Sequence, residues 1–444
     1  MTATEPVDLS VADLHPALGE PALTSMNFLN EVSERYPAAV SLAAGRPYEE
    51  FFDLAAVHRH LDTFHRHLVD DLGHRPEQAR RLLLQYGRTK GIVHHLIARN
   101  LAVDEGITVD PEDVVVTVGC QEAMFLVLRA LRAGPTDVLL AVAPTYVGLT
   151  GAARLVDLPV WPVAGGSCGI DLADLAAQVR RARAAGLRPR ACYLMPDFAN
   201  PSGVSIDTAH RRRLLDLAAQ EDLLLLEDNP YGLFHTDDGP RPPTLKALDT
   251  GRRVVYLGSF AKTVLPGARV GYVVADQRVA GPGGRVGPLA DQLAMIKSMV
   301  TVNTSPIAQA VIGGRLLEHG CSLVAANTRE RTAYTRNLRH LVAGLTRHFR
   351  DQPDQPDERA VRWTVPAGGF FVVVTVPFPV DDALLDRSAR DYGVLWTPMA
   401  HFYDDTAPVR ALRLSVSAVT PEQIDVGLDR LAALITDELT RRAG

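Results

Sequence analysis

Ser259-Phe260-Ala261-Lys262-Thr263-Val264-Leu265-Pro266-Gly267-Ala268-Arg269-Val270-Gly271 is the stretch around which this 444-residue chain is organised. An apolar run over 254–257 precedes it and another over 270–274 follows, so it reads as a loop between two buried strands. Lys262 is one of four lysines in the chain. Pro266-Gly267 is a turn signal that can fold Arg269 back toward it. A desolvated amine beside a fixed guanidinium suits a lysine that must be neutral enough to attack a carbonyl. A surface loop with a stray lysine has the same pattern, and the stretch alone does not separate the two.

Upstream, buried-strand runs alternate with helical patterns. Strands are expected over 114–118, 138–142, 159–163, 191–195 and 223–226, with helices over 119–131, 172–185 and 208–220. Such alternation predicts an α/β fold with a mostly parallel central sheet and helices on both faces. The candidate polar groups follow the strands: Gly119-Cys120-Gln121, Tyr146, Asn200, Asp228, Tyr231, Ser259 and Lys262. Open α/β sheets bind ligands at the carboxyl ends of their strands, so these residues are expected to face one crevice.

The flanks differ. Over 1–60 there is little regular pattern, with apolar clusters at Phe28-Leu29 and Val40-Ser41-Leu42 and a break at Ala44-Gly45-Arg46-Pro47. Helical patterns run over 54–84, 92–101, 289–299 and 306–346. Gly281-Pro282-Gly283-Gly284 reads as a flexible insertion and 352–358 as a linker. Residues 361–376 alternate like a sheet interrupted by Gly368-Gly369, as in a second, α+β domain. Thr420-Pro421-Glu422-Gln423 is a capping box that opens a helix striped by Ile424, Leu428, Leu431 and Ile435. The expected division is an N-terminal arm with part of a small domain (1–75), a large domain (76–318) and a C-terminal small domain (319–444).

Composition narrows the function. Apolar residues make up 47% and charged ones 22%, as in an ordinary globular enzyme. A net charge of −6 disfavours a nucleic-acid partner. The four cysteines show no C-x-x-C spacing and read as reduced thiols; no metal is expected. The first residues lack a signal-peptide pattern, and no apolar run is long enough to span a bilayer, which implies a cytoplasmic protein without membrane partners.

Taken in order, L-Q-Y-G (84–87), A-N-P-S-G (199–203), D-N-P-Y (228–231), the Lys262 stretch and L-R-L-S-V-S (412–417) resemble pyridoxal-phosphate (PLP) enzymes of fold type I. Within these the chain is similar to the class I/II aminotransferases, nearest the aminoadipate/kynurenine branch, from about Asn27 onward. The segments 25–32 and 45–53 are also similar to arylglycine transaminases of bacterial secondary metabolism.

The resemblance implies a ping-pong aminotransferase, PLP as cofactor, amino acids and 2-oxo acids as substrates, and a role for each residue. Lys262 would be the Schiff-base lysine and proton carrier. Asp228 would keep the pyridine nitrogen protonated. Asn200 and Tyr231 would hydrogen-bond the cofactor phenolate, and Tyr146 would stack on its ring. Backbone N–H groups at Cys120 and Gln121, with Ser259 and Arg269, would hold the phosphate. Tyr86 would reach the phosphate of a neighbouring subunit, which implies a homodimer with shared active sites. Arg413 would clamp the substrate carboxylate beside Gly45 and Asn200. Read singly, Asp228 also fits a strand-end cap, Asn200-Pro201 a turn, Tyr146 a core aromatic, and Arg46 either a side-chain selector or a surface charge.

Three positions depart from the family pattern: Cys120, where a small hydroxyl or glycine is common; Ala261, in place of a frequent serine; and the stretch 399–403, in place of a glycine-containing turn. The favoured product is an arylglycine-type or other aromatic amino acid. A basic or cyclic-guanidine 2-oxo acid, served by Glu49-Glu50 or Asp404-Asp405, is the alternative substrate. A PLP lyase or decarboxylase on the same fold is the alternative reaction. A transcription regulator built on this domain would need an N-terminal DNA-binding module, and residues 1–40 are too few and too acidic for one.

Overall fold

The computed structural model describes residues 8–20, 23, 34–166, 168–236, 241–349, 360–404 and 407–443. The expected linker 352–358, the whole block 25–32 with the Phe28-Leu29 cluster, and Asp405 lie outside them. Seven strands form the central sheet: β1 (Val114–Val118), β2 (Asp137–Ala143), β3 (Val160–Ala164), β4 (Arg188–Leu194), β5 (Leu224–Asp228), β6 (Val254–Ser259) and β7 (Val270–Val274). Their spatial order is β1-β7-β6-β5-β4-β2-β3. Strands β2 to β6 pair in parallel, whereas β7 is antiparallel to both β6 and β1. Because β7 is reversed against both neighbours, β1 runs in the same sense as the parallel set. The carboxyl ends of six strands and the start of β7 therefore share one edge.

The leucine run of β5 shows why the sheet is covered on both faces. Successive side chains of a strand point to opposite sides. Leu225 packs in the cluster of Leu175, Val179, Leu214 and Ala218, from helices Leu172–Ala184 and Thr208–Gln220. Leu226 packs with Ala123, Val127, Leu149 and Ala153, from helices Gly119–Leu131 and Val147–Leu155. Each fully buried leucine contributes about 1.5–3 kcal/mol, so a strand covered on both faces needs no polar alternation.

A second sheet of four strands is antiparallel. Phe371–Thr375 lies between Arg362–Trp363 and Ala411–Ser415, and the last of these also pairs with Thr397–Pro398. Val40–Ser41 pairs in parallel with Val394–Leu395, which ties the N-terminal segment to the C-terminal one. The helix Pro421–Ala443 begins with the expected capping box, Thr420 and Gln423 each accepting the other's backbone N–H, and buries the Ile424, Leu428, Leu431 and Ile435 stripe.

Three local expectations are corrected. The 54–84 helix is two, Leu54–Arg66 and Pro76–Leu84, because the chain turns at Gly73 with φ +69°. The 306–346 helix divides into Pro306–Glu318, Leu323–Ala326 and Thr328–Phe349, broken where Gly320 and Cys321 take positive φ. The glycine-rich insertion at 281–284 is the turn of a short hairpin, Arg278–Ala280 against Val286–Pro288. No helix among the described residues is long and apolar enough to cross a membrane. No group of His, Cys, Asp and Glu among them could hold a metal ion.

Candidate active site

The shared edge of the central sheet and the second sheet enclose a cavity of about 310 Å³. Gly45, Cys120, Gln121, Tyr146, Asn200, Asp228, Tyr231, Ser259, Lys262, Arg269 and Arg413 all line it. Sheet direction explains the gathering. Ser259 and Asp228 end β6 and β5; Tyr146 and Asn200 follow β2 and β4; Cys120 and Gln121 follow β1. Arg269 precedes the reversed strand β7, whose Gly271 pairs with Ser259 and whose Val270 pairs with Val118. A Pro266–Ala268 3-10 turn and a left-handed Arg269 (φ +50°) complete the return predicted from Pro266-Gly267.

At one end of the cavity, Gly119 opens the helix Gly119–Leu131 with φ +71°. A Cβ there would lie 2.5 Å from the Arg269 guanidinium. Glycine is needed both for the conformation and for this close approach. Glu122, in the same first turn, accepts from Val118 N–H at 2.6 Å and from the buried Lys297 amine at 2.8 Å. Arg269 makes no ion pair among the described residues, and Ser259 Oγ accepts the Ala261 N–H at 3.2 Å. Helix start, hydroxyl and unpaired guanidinium make an anion cradle.

On the cavity floor Asp228 is buried, and its carboxyl accepts from the Tyr193 hydroxyl at 2.7 Å and the Cys120 thiol at 3.6 Å. Burial raises its pKa to about 6, although both hydrogen bonds and Lys262 pull it down. Tyr193 is a site residue that sequence reading missed. Inside an apolar strand its only signal is that a buried phenol requires a partner. The Cys120 reading is enlarged: its side chain serves Asp228, in addition to whatever its backbone holds.

Lys262 Nζ donates to the Gly45 carbonyl at 2.7 Å. A Cβ on Gly45 would lie 2.7 Å from the Phe371 ring, so only glycine lets this backbone come so near. Burial lowers the amine's pKa to about 8, helped by Arg413 and Arg269 and opposed by Asp228. Tyr231 is buried with its ring centroid 6.0 Å from this amine, and its hydroxyl is hydrogen-bonded to the Asn200 side chain.

Opposite the floor, Arg413 is 4% exposed. It is paired in register with Thr397, and its guanidinium donates to Thr397 Oγ1 (3.2 Å), the Ala43 carbonyl (3.0 Å) and Asn200 Oδ1. Phe371 and Phe402 stack on it at 4.2 and 5.0 Å. Burial lowers its pKa to about 10, so it remains a cation at neutral pH. Its Nε is buried without a partner. Sequence reading did not single out Thr397, Phe371 or Phe402 as neighbours of Arg413. Tyr86 does not line the cavity; it follows the helix Pro76–Leu84 and is 85% exposed.

The sequence model of the family Aminotransferase class I and II matches residues 64–431. The chain belongs to the class I and II aminotransferases. It is a PLP-dependent enzyme that exchanges an amino group between amino acids and 2-oxo acids. The (S)-3,5-dihydroxyphenylglycine transaminase of Amycolatopsis orientalis is 57% identical over 431 residues, covering 97% of this chain and 95% of that one. The solved kynurenine aminotransferase of Pyrococcus horikoshii is 28% identical, with a TM-score of 0.77 over 93% of this chain and 94% of that one. The alpha-aminoadipate aminotransferase of Thermus thermophilus, solved with N-(5'-phosphopyridoxyl)-L-leucine, is 28% identical, with a TM-score of 0.78 over 97% of this chain and 100% of that one. Both structures share the PLP fold type I architecture with this aminotransferase. Its cavity also suits the cofactor chemically: an anion cradle at one end, a buried acid at the floor, a depressed lysine between them, and a guanidinium with a spare donor across from them.

Proposed function

We propose that this aminotransferase forms arylglycine-type amino acids, taking as acceptor a 2-oxo acid whose aryl ring sits directly on the keto carbon. The observation that carries this is the 57% identity over almost the whole chain to a dihydroxyphenylglycine transaminase. The cavity supports it with Met124, Val147, Phe371 and Phe402 in its lining, and with Asp228 as the sole carboxylate there among the described residues. A basic or cyclic-guanidine acceptor is not favoured. Glu49 and Glu50 are exposed and do not line the cavity, and Asp404 lies 3.6 Å from Arg154. The lyase and decarboxylase alternatives are likewise not favoured by the family match.

PLP, when bound, supplies an aldehyde that takes up the amino group and a ring that accepts the electrons of the broken Cα–H bond. Lys262 Nζ, with its pKa lowered to about 8, takes the Cα proton and returns one on the far side of the transfer. Asp228 holds a proton on the ring nitrogen, and Tyr231 and Asn200 donate to the ring oxygen. Cys120 and Gln121 N–H groups, Ser259 and Arg269 hold the phosphate, and Tyr146 covers the ring. Arg413, whose Nε has no partner, turns its guanidinium to the substrate carboxylate, and Gly45 leaves the backbone close to the substrate.

The proposal includes a homodimer. A Cβ at Gly87 would touch Asn303 and Pro306 at 3.9 Å; Tyr86, next to Gly87, is exposed, and so are Met299, Val300, Val302 and Ile307, which flank Asn303 and Pro306 in sequence. Exposed apolar side chains in these two segments suit burial against a second copy, which would receive Tyr86 at its phosphate. It also includes the division at 75 and 318, supported by the separate antiparallel sheet, and a cytoplasmic location, supported by four free cysteines.

Purified protein given PLP, an amino donor and a panel of aryl and aliphatic 2-oxo acids tests the substrate. Arylglycine formation with the highest kcat/KM on arylglyoxylates is expected. Equal or better turnover of aliphatic or basic acceptors would overturn the assignment.

A further inference from the structure

We propose that Tyr193, assisted by the Cys120 thiol, is a positioning residue for amino transfer: together they fix Asp228 as an ionised carboxylate aimed at the cofactor's ring nitrogen. The inference rests on the reading of Asp228 given above.

Register makes the contact possible. Tyr193 on β4 is paired with Leu226 on β5, and Leu226 and Asp228, two residues apart, share a face. A side chain at 193 must therefore reach about 6.6 Å along the sheet, two residues of rise, to touch Asp228. A tyrosine spans that distance with its hydroxyl; a phenylalanine lacks the donor. The distance is 2.7 Å to one carboxyl oxygen, and Cys120 Sγ lies 3.6 Å from the other. Tyr193 is 2% exposed, so water does not compete for the phenol.

The polarity of the contacts decides the charge state they favour. Both neighbours can present hydrogens, and an ionised carboxylate, being acceptor-only, takes both; a protonated one could donate to the phenol oxygen only by turning the Tyr193 hydrogen away from the carboxyl it now reaches. Hydrogen bonds to the charged form favour it. The titratable groups around Asp228 are Tyr193 from β4, Cys120 from the helix Gly119–Leu131 and Lys262 from the following loop, with the phenols of Tyr146 and Tyr231 nearby. Lys262 is the cation among them, and its amine is hydrogen-bonded to Gly45. Without the two donors, burial alone would push a proton onto Asp228 and weaken its hold on the ring nitrogen. The thiol is a weak donor, so Tyr193 carries the larger share.

The test uses PLP-loaded Y193F, C120S, C120A, D228N and the double variant Y193F/D228N. Two readouts are taken: the dissociation constant for PLP and the pH midpoint of the visible band of the lysine-bound cofactor. Positive charge on the ring disfavours a proton on the nearby lysine nitrogen, so weakening that charge raises the midpoint. Y193F should weaken PLP binding about tenfold and raise the midpoint by about one unit. C120A should shift it less, and C120S, which keeps a donor, should stay near the parent. The double variant should match D228N. If D228N itself moves neither readout, the assignment of Asp228 fails and this inference with it. If D228N moves both while Y193F moves neither, or if the Y193F effect persists on top of D228N, the inference alone is overturned. Should Y193F not fold, the cysteine pair decides: a midpoint shift in C120A and not in C120S supports the proposal, and equal shifts overturn it.

Discussion

Replacing Lys262 by methionine should stabilise the cofactor-free protein, by an amount that depends on pH. The folded amine titrates at about 8 instead of 10.5, mainly through burial and then through Arg413 and Arg269. That depression penalises the charged form by about 3 kcal/mol. An unfolded chain keeps this proton up to about pH 10.5, and the folded chain releases it near 8. Between those values the unfolded state binds more protons, so the stability of the parent rises with pH; below 8 the full penalty stands. Methionine removes the penalty and also the hydrogen bond to the Gly45 carbonyl, worth about 1 kcal/mol. Lys262 keeps part of its surface toward the cavity, and screening there trims the gain further. The net advantage of K262M at pH 7 is then about 1–2 kcal/mol, and it should shrink by up to about 2 kcal/mol on going to pH 9.5. Urea unfolding of both apo-proteins at the two pH values measures this. An advantage that does not change with pH, or a variant less stable at both, would refute the reasoning. The same depression leaves about a tenth of the amine neutral at pH 7, against a few parts in ten thousand for an ordinary lysine.

Further outcomes are expected from other parts of the site. R413K keeps the charge but loses the planar fork, so KM for amino and oxo substrates should rise about 10- to 100-fold while the spectrum of bound PLP is unchanged; an unaltered KM would count against the clamp. G119A places a Cβ 2.5 Å from Arg269 Nη2 at φ +71° and should weaken PLP binding at least about tenfold in a protein that still folds, as read by cofactor titration. M299D puts a charge at an exposed apolar position proposed to face the second subunit and should yield monomers with weakened PLP binding in sedimentation and titration experiments.

Much of this protein was legible because its elements are locally encoded. The leucine run 223–226, the valine runs at 114–118 and 270–274 and the capping box at Thr420 each declare their element through a pattern a few residues long, and the structure keeps them. Helix interruptions at Gly73 and at Gly320-Cys321 were missed because one or two residues of positive φ do not disturb apolar spacing over a thirty-residue window. The cavity residues were read as strand-end groups in known order, and Gly45 and Arg413 were added by resemblance. All but Tyr86 line the cavity, and Tyr86 stands exposed, where it is proposed to reach a second subunit.

By itself, the sequence determined which residues end the strands, and hence which chemistry is available at one edge of the sheet. Only the tertiary structure decided how those residues act on one another. The reversal of β7 sets Arg269 against Gly119, the offset between β4 and β5 carries the Tyr193 hydroxyl to Asp228, and the second sheet with the 3-10 turn Met399–Phe402 lays Phe371 and Phe402 on Arg413. These pairings join residues 11, 35, 42 and 150 positions apart. Local periodicity carries no information about such distances, and a charge's pKa is set by whatever packs around it.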